Sequence, residues 1–341
     1  MYSPHHYQSK FSYYLKHILA GAIPNAVYRR KAERLLAGTN ALADPRLQKR
    51  LRYYIRLDKP FCLDASANTL EKIDSSKHSA YFYDLRESAR CFPPDRCFYH
   101  LFGDVTEVPE KPCLVKSRPI GSYNHNSVLM KFNRIRHFNF IHDEIRFREK
   151  IPAVVWRGKA KPHRFRSDVV SRYYRHPECD IGQSNPVPAG CDRRMQVPFM
   201  PIREQLAYRY VLSMEGNDVA TNLKWIMASN SLCLMRKPRF ETWFMEGTLI
   251  PGYHYVELRN DHADLVDQIS YYNDHPEEAE RIIANANAYV QQFMDPNVEK
   301  LLELLVLSRY FELSGQMHSH SPVVFPRQYD PSVESSLTGI L

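Results

Sequence analysis

The chain has no Cys-x-x-Cys pair, although seven cysteines (Cys62, Cys91, Cys97, Cys113, Cys179, Cys191 and Cys233) are scattered along its 341 residues. An odd, dispersed set argues against a disulfide framework and against a zinc site, so reduced thiols are expected. Long hydrophobic runs are missing too. Near the N-terminus the longest stretch without a charged residue, His17 to Tyr28, is broken by Pro24 and is too short to span a bilayer. Tyr, His and Gln among positions 2 to 8 do not give the basic-then-apolar order of a secretory signal, and residence in the cytoplasm is the expectation. No GxGxxG, Walker-type GxxxxGK, GxSxG or HExxH pattern occurs, which removes support for a dinucleotide dehydrogenase, a P-loop kinase, an elbow-type esterase and a zincin. Asp-x-Asp is absent as well. A phosphate-binding site in this chain therefore has to rest on Lys, Arg and helix N-termini, with no metal expected.

What is present is a globular composition, 44% hydrophobic and 25% charged. The length suits two domains with a cleft between them. A formal charge of +8 implies an anionic partner: nucleic acid, an anionic membrane or glycolipid, or a phosphorylated small molecule. The basic residues are dispersed and no RNP-like aromatic pattern accompanies them, so nucleic acid is not expected.

Residues 10–40 alternate Tyr, Leu, Ile and Ala with Lys and Arg, as an interrupted amphipathic helix does. Packing on the N-terminal lobe and peripheral docking on the inner-membrane surface both fit that pattern. AYFYDL, CFYHLFGD and CLVKSRPI are strand-like, whereas NSVLMKFNRIRHFNFIHDE has apolar residues at helical spacing and a basic face. AVVWRG opens a second lobe as a strand, and residues 185–201 form a Pro-rich loop. A helix over REQLAYRYVLSM, a turn at EGND, a helix over VATNLKWIMA and strands at SLCLMR and YHYVEL follow, then helices from Asp261, after Pro276 and over NVEKLLELLVLSRYF. This alternation predicts an α/β fold with a parallel sheet. The tail beyond Gly315 is expected to be loosely ordered.

Ser213 to Arg236 is the most informative segment. Asp218 or Asn217 can cap the helix after the EGND turn, leaving free N–H groups near Val219 for a phosphate, with Thr221, Asn222 and Lys224 as further donors. An ordinary capped helix buried through Leu223, Trp225, Ile226 and Met227 fits equally.

Glu215-Gly216-Asn217, then Ala220, Lys224, Ala228-Ser229 and Ser231-Leu232, closely resemble the donor-binding stretch of glycosyltransferase family 90, the CAP10-like family, in its lipopolysaccharide-modifying branch. Three further segments match in order. Val155-Trp156-Arg157-Gly158 with Lys161, Arg164 and Arg166 is similar to the family's aromatic-Arg-Gly strand end and basic loop, although Lys159-Ala160-Lys161 stands where relatives often have Ser and Arg. Phe240-Glu241-Thr242-Trp243-Phe244 with Gly252 to Val256 resembles its acidic-aromatic stretch. Phe102-Gly103-Asp104 to Pro109, with Lys116-Ser117-Arg118, resembles the segment that carries its general base.

The resemblance implies a GT-B-like pair of facing Rossmann-like lobes: an acceptor-side lobe over 1–150, a nucleotide-sugar lobe over 151–296, a helix over 297–314 returning to the first lobe, and the tail 315–341. It implies metal-independent, inverting transfer of a hexose, glucose or galactose, from a UDP-sugar to a lipopolysaccharide core sugar. Asp104 becomes the base. Arg157, Gly158, Lys161, Arg164, Asn217, Val219, Ala220, Thr221, Asn222, Lys224 and Glu241 become donor contacts, and Lys116, Ser117 and Arg118, with the basic face of residues 131–148, acceptor contacts. Capsule polysaccharide or another glycan as acceptor, and a non-catalytic glycan- or lipid-binding protein of the same fold, are the rival expectations.

Overall fold

A computed structural model describes residues 9–37, 44–160 and 164–317. The chain begins with α1 (Lys10–Gly21), α2 (Asn25–Ala37) and α3 (Pro45–Tyr54), followed by β1 (Asn68–Thr69), α4 (Ser79–Ala89) and β2 (Cys97–Leu101). Next come β3 (Cys113–Val115), β4 (Ser117–Pro119), β5 (Ser127–Leu129) and the short α5 (Arg134–His137). β1, β2, β3 and β5 lie side by side, with β2, β3 and β5 parallel and β1 antiparallel at the edge.

The second half supplies β6 (Ile151–Gly158), α6 (Arg164–Tyr173), β7 (Cys179–Gln183), α7 (Ile202–Gln205) and β8 (Tyr208–Leu212). It continues with α8 (Leu223–Met227), β9 (Leu232–Arg236), β10 (Phe240–Thr242), β11 (Val256–Leu258), α9 (Leu265–Asp274), α10 (Pro276–Gln291) and α11 (Pro296–Leu313). Five of its strands form an all-parallel sheet in the order β11-β9-β8-β6-β7. Alternate side chains of these strands enter different cores. Val154, Trp156, Tyr210, Leu212, Leu232 and Leu234 pack with residues of α6 and α9, while Val155, Val211, Cys233 and Met235 pack with α8 and the end of α10. A strand buried on both faces has no polar side to show, which is why these segments read as apolar runs. The second of the two cores continues into the first sheet through Leu114, Val115, Val128 and Leu129 and receives α11 through Leu302, Val306, Tyr310 and Phe311. The protein is thus an α/β fold built on parallel sheets.

The two sheets are stitched by β4 and β10, which pair antiparallel with Glu241 opposite Arg118. Both side chains are fully buried, and Arg118 Nε donates to Glu241 Oε1 at 2.6 Å, Nη1 to Ser127 O at 3.0 Å and Nη2 to Tyr53 O at 2.6 Å. A buried charge persists only when paired and hydrogen-bonded in this way.

Several local expectations are corrected. AYFYDL lies inside α4, not in a strand: Tyr81, Leu85 and Ala89 fall four apart and are buried on one helical face. REQLAYRYVLSM divides into the four-residue α7 and the strand β8. The NSVLMKFNRIRHFNFIHDE segment holds β5 and the short α5 rather than one long helix. The expected disorder of the tail falls on residues that, from 318 onward, lie outside the described ones.

Candidate active site

In chain order the strands of the parallel sheet run second, first, third, fourth, fifth across it, so the direction of winding reverses between β6 and β8. Ligands of doubly wound sheets bind outside the carboxyl ends of the strands at such a reversal. Here those ends carry Gly158 and Lys159 on one side and Ser213 to Asp218 on the other. Arg166, in the first turns of α6, spans the gap: Nη1 donates to Lys159 O at 3.0 Å, Nη2 to Met214 O at 2.6 Å and Nε to Glu215 O at 2.9 Å. Its guanidinium also lies 5.8 Å from the Trp156 ring centre.

Gly158 is required at this strand end. A Cβ there would stand 2.6 Å from Cζ2 of Trp156, whose indole folds back over the backbone. Gly158→Ala is therefore expected to lower stability by about 1–3 kcal/mol through overpacking. Urea unfolding checks this, and an unchanged midpoint would mean that Trp156 swings aside without cost.

Across the gap stands Asp104, just past the end of β2 and after Gly103, whose φ of 109° suits glycine. Lys116 Nζ, almost fully buried, lies 2.5 Å from Asp104 Oδ1 and 2.7 Å from Asp218 Oδ2. Asn217 Nδ2 donates to Asp104 Oδ2 at 3.0 Å, joining the EGND turn of the second sheet to the carboxylate of the first. The two acids respond differently to one ammonium. Partial burial works to raise the Asp104 pKa, but Lys116 and the Asn217 amide outweigh it and hold the carboxyl below its usual range. Asp218 is more deeply buried, and that desolvation, reinforced by Asp104, pushes its pKa up in spite of Lys116. Asp104 keeps about a third of its side chain exposed, so it is the reachable member of the pair.

Positive charge gathers beside it. Arg236, the last residue of β9, lies 4.3 Å from the Phe165 ring centre and donates to Glu215 Oε2 at 3.0 Å. Arg136, exposed on α5, is close enough to act on both Asp104 and Arg166. Burial, with the added repulsion of Arg136 and Arg236, brings the Arg166 pKa down to about 10. Arg236 is already paired with Glu215, and an anion placed beside Arg166 and Arg136 would relieve the repulsion that Arg166 feels. Next to them a shallow hollow is lined by Val219, Ala220, Leu223, Met235, Arg236 and Phe240, with the carboxylates of Glu215 and Glu246 at its wall. Among the described residues no three His, Cys, Asp or Glu side chains converge as a metal site would need.

The sequence-derived candidates fall into two sets. Asp104, Gly158, Asn217, Val219 and Ala220 border the crevice or its pocket. Most of the others are engaged elsewhere or lie outside the described residues. Arg157 turns along the sheet edge, donating to Asp180 O at 2.6 Å and pairing with the Asp180 carboxylate. Lys161 and the Arg164 side chain lie outside the described residues. No helix starts at Val219: α8 begins at Leu223 and has only five residues, so the expected helix N-terminus for a phosphate does not form. Asp218, one of its expected caps, is held by Lys116, and Asn222 Nδ2 donates to Leu212 O at 3.0 Å. Thr221 precedes α8, half-buried. Lys224 is fully buried on Glu246 between the rings of Phe138 and Phe244. Glu241 is closed off by Arg118 and Tyr53 rather than open to sugar hydroxyls.

Lys116, Ser117 and Arg118 likewise present no acceptor surface. All three are buried, and Ser117 exchanges hydrogen bonds with the backbone of Val105. Arg136 belongs to the basic segment 131–148 that the sequence offered for an anionic acceptor, whereas Arg236 was not among the sequence candidates. For Arg236 a signal existed, a cation closing the apolar run SLCLM at the carboxyl end of a strand.

A crevice at a winding reversal, with guanidinium groups on one side and a reachable carboxylate on the other, has the parts a group-transfer site needs, and comparison with known proteins identifies the class as glycosyltransferase. The profile of glycosyl transferase family 90 matches residues 131–314, and the chain belongs to that family. It is 45% identical over 313 residues to the O-glucosyltransferase LpsA of Dichelobacter nodosus, an alignment that spans 91% of this chain and 97% of that protein. Protein O-glucosyltransferase 3 of Rattus norvegicus is 26% identical over 106 residues, which is 31% of this chain and 20% of the rat protein. Protein O-glucosyltransferase 2 of Danio rerio is 31% identical over 75 residues, 22% of this chain and 15% of its own.

Proposed function

We propose that this glycosyltransferase moves a hexose, with glucose preferred, from its UDP derivative to a sugar of the lipopolysaccharide core, with inversion and without a metal. The observation that carries the reading is the placement of Arg166, Arg236 and Arg136 around the winding reversal with Asp104 across the gap. Asp104 takes the proton of the acceptor hydroxyl as its oxygen attacks the anomeric carbon, and the bond from that carbon to the diphosphate oxygen breaks. The guanidinium groups meet the charge that develops on departing UDP, as preorganised donors do. Val219, Ala220 and Leu223 line a shallow hollow beside these groups, and the nucleoside packs over its mouth. The names of the relatives favour glucose over galactose.

In this reading the two sheets are the facing lobes of a GT-B-like enzyme, 1–150 and 151–296. Helix α11 ties the second back to the first through its contacts with α2, α3 and α4. No helix among the described residues is long and apolar enough to cross a membrane, and action at the cytoplasmic side of the inner membrane fits the proposal.

The test is transfer by purified protein in EDTA, with UDP-glucose and UDP-galactose offered against core oligosaccharide. Transfer of glucose that survives the chelator is the expected outcome. A requirement for Mg²⁺ or Mn²⁺ would overturn the metal-free mechanism, and transfer only to a different glycan would overturn the acceptor.

A further inference from the structure

Helix α1 is amphipathic in the reverse of the usual sense. Its inward face is polar and aromatic: Tyr13 and His17 are buried, the Tyr13 hydroxyl donates to Asp84 Oδ1 at 2.6 Å, Tyr14 meets Ser79 at 3.2 Å, and the His17 ring stacks on Tyr83. Its aliphatic side faces outward. Phe11 is 76% exposed, Leu15 42%, Ile18 60% and Leu19 64%, and Ile23 and Val27 continue the strip at 42% and 53%. Phe11, Leu15, Ile18 and Leu19 have the spacing of one helical face. A surface helix of a soluble domain puts such residues inward, and a contiguous exposed strip of them marks a contact with something apolar.

The charge around the strip selects the partner. Residues 10–37 hold six lysines and arginines (Lys10, Lys16, Arg29, Arg30, Lys31, Arg34) against one acid, Glu33. On α2 the exposed Arg30, Lys31 and Arg34 lie three, four and seven residues after Val27, on the same side of the helix. A second copy of the chain docking through this surface would bring two strongly cationic patches together. An anionic lipid surface meets both features at once, since apolar side chains enter the acyl boundary while cations remain at the headgroups.

We infer that α1 and the start of α2 form a docking face for an anionic phospholipid bilayer, with Phe11, Leu15, Ile18 and Leu19 inserted and Arg30, Lys31 and Arg34 at the headgroup level. None of these residues lines the sugar-transfer crevice, so vesicle binding can be read independently of the proposed substrates. Docking holds the enzyme at the surface where a lipid-linked acceptor is presented.

The experiment is sedimentation of the full chain with vesicles of phosphatidylethanolamine and phosphatidylglycerol, and with phosphatidylcholine alone. The protein is expected to sediment with the anionic vesicles, to stay soluble with the neutral ones, and to be released by high salt. Phe11→Glu with Ile18→Glu should lower the partition coefficient at least about tenfold. Arg30→Ala, Lys31→Ala and Arg34→Ala together should lower it about a hundredfold. The altered side chains are exposed, so circular dichroism and turnover of a soluble acceptor should stay as in the parent. Equal binding to both vesicle types, no binding to either, or undiminished binding by the variants would overturn the inference. So would a concentration-dependent dimer that the Phe11 and Ile18 changes abolish in the absence of lipid.

Discussion

Asp104→Asn should reduce glycosyl transfer by about 10²–10⁴-fold, the range for loss of a positioned general base, while UDP binding stays within about twofold. The fold has reason to tolerate the change. Lys116, buried and 2.5 Å from Asp104, retains Asp218 at 2.7 Å as its counter-charge, and the new amide oxygen can still accept one hydrogen bond. What disappears is the anionic oxygen facing the gap. In the present arrangement Oδ2 accepts from the Asn217 amide and keeps acceptor capacity for an incoming hydroxyl. Because Lys116 and Asn217 hold the Asp104 carboxyl below its usual pKa, the base is ionised throughout the neutral range. The acid limb of kcat/KM then falls below the ordinary carboxylate range in the parent enzyme. Single-turnover rates across pH, with UDP affinity measured in parallel, check both statements. Full activity in the variant would remove Asp104 from the chemistry, and lost UDP affinity would mean that the change had disturbed the crevice itself.

Strands β6 and β9 of the parallel sheet were legible in the sequence because burial on both faces leaves uninterrupted apolar runs, AVVWRG and SLCLMR, whereas β7, with CDIGQ, carries no such run and was not anticipated. The other failures came where two periods overlap. AYFYDL is rich in residues that favour strands, yet Tyr81, Leu85 and Ala89 satisfy a helical face that packs into the core. In REQLAYRYVLSM, Leu206 and Tyr210 sit four apart and imitate a helix, but Tyr210, Val211 and Leu212 form a central strand between β6 and β9. Of the candidate site, Asp104 and Asn217 were singled out through motifs that stay short-range in the chain. Arg136 was flagged only as part of the basic segment 131–148, because its position near Arg166 depends on how the two sheets are docked. The same docking explains why Lys116, Arg118 and Glu241, basic and acidic residues that read as ligand contacts, instead carry structure.

Glu299→Ala should cost about 3–5 kcal/mol of stability, the scale for removing one partner from a buried charge network. Glu299 lies in the first turn of α11, and its two oxygens gather groups from distant parts of the chain. Oε1 accepts from Arg50 Nη2 at 2.5 Å, while Oε2 accepts from Lys131 Nζ at 2.7 Å and Trp243 Nε1 at 2.8 Å. Arg50 also donates to the Tyr54 hydroxyl and to Gln292 O, and the Tyr54 ring stacks on Trp243 with centres 3.7 Å apart. Without the carboxylate, Arg50 and Lys131 remain as two buried cations that water cannot reach, since their side chains are only 5% and 10% exposed. A domain with about 5–15 kcal/mol in total loses much of its margin by such a change. Glu299→Gln keeps an acceptor oxygen and the shape, so a smaller loss is expected from it. Urea unfolding of the two variants tests the order, and a loss under about 1 kcal/mol for Ala would show that the cations find other partners. The network also bears on catalysis. Trp243 directly follows β10, whose Glu241 grips Arg118 on β4, and β4 is preceded by Lys116, the residue that holds Asp104. Loosening α11 therefore slackens the link that sets the distance between Asp104 and Arg166. Glu299→Ala should lower transfer at temperatures well below its own unfolding, with donor affinity the less affected term.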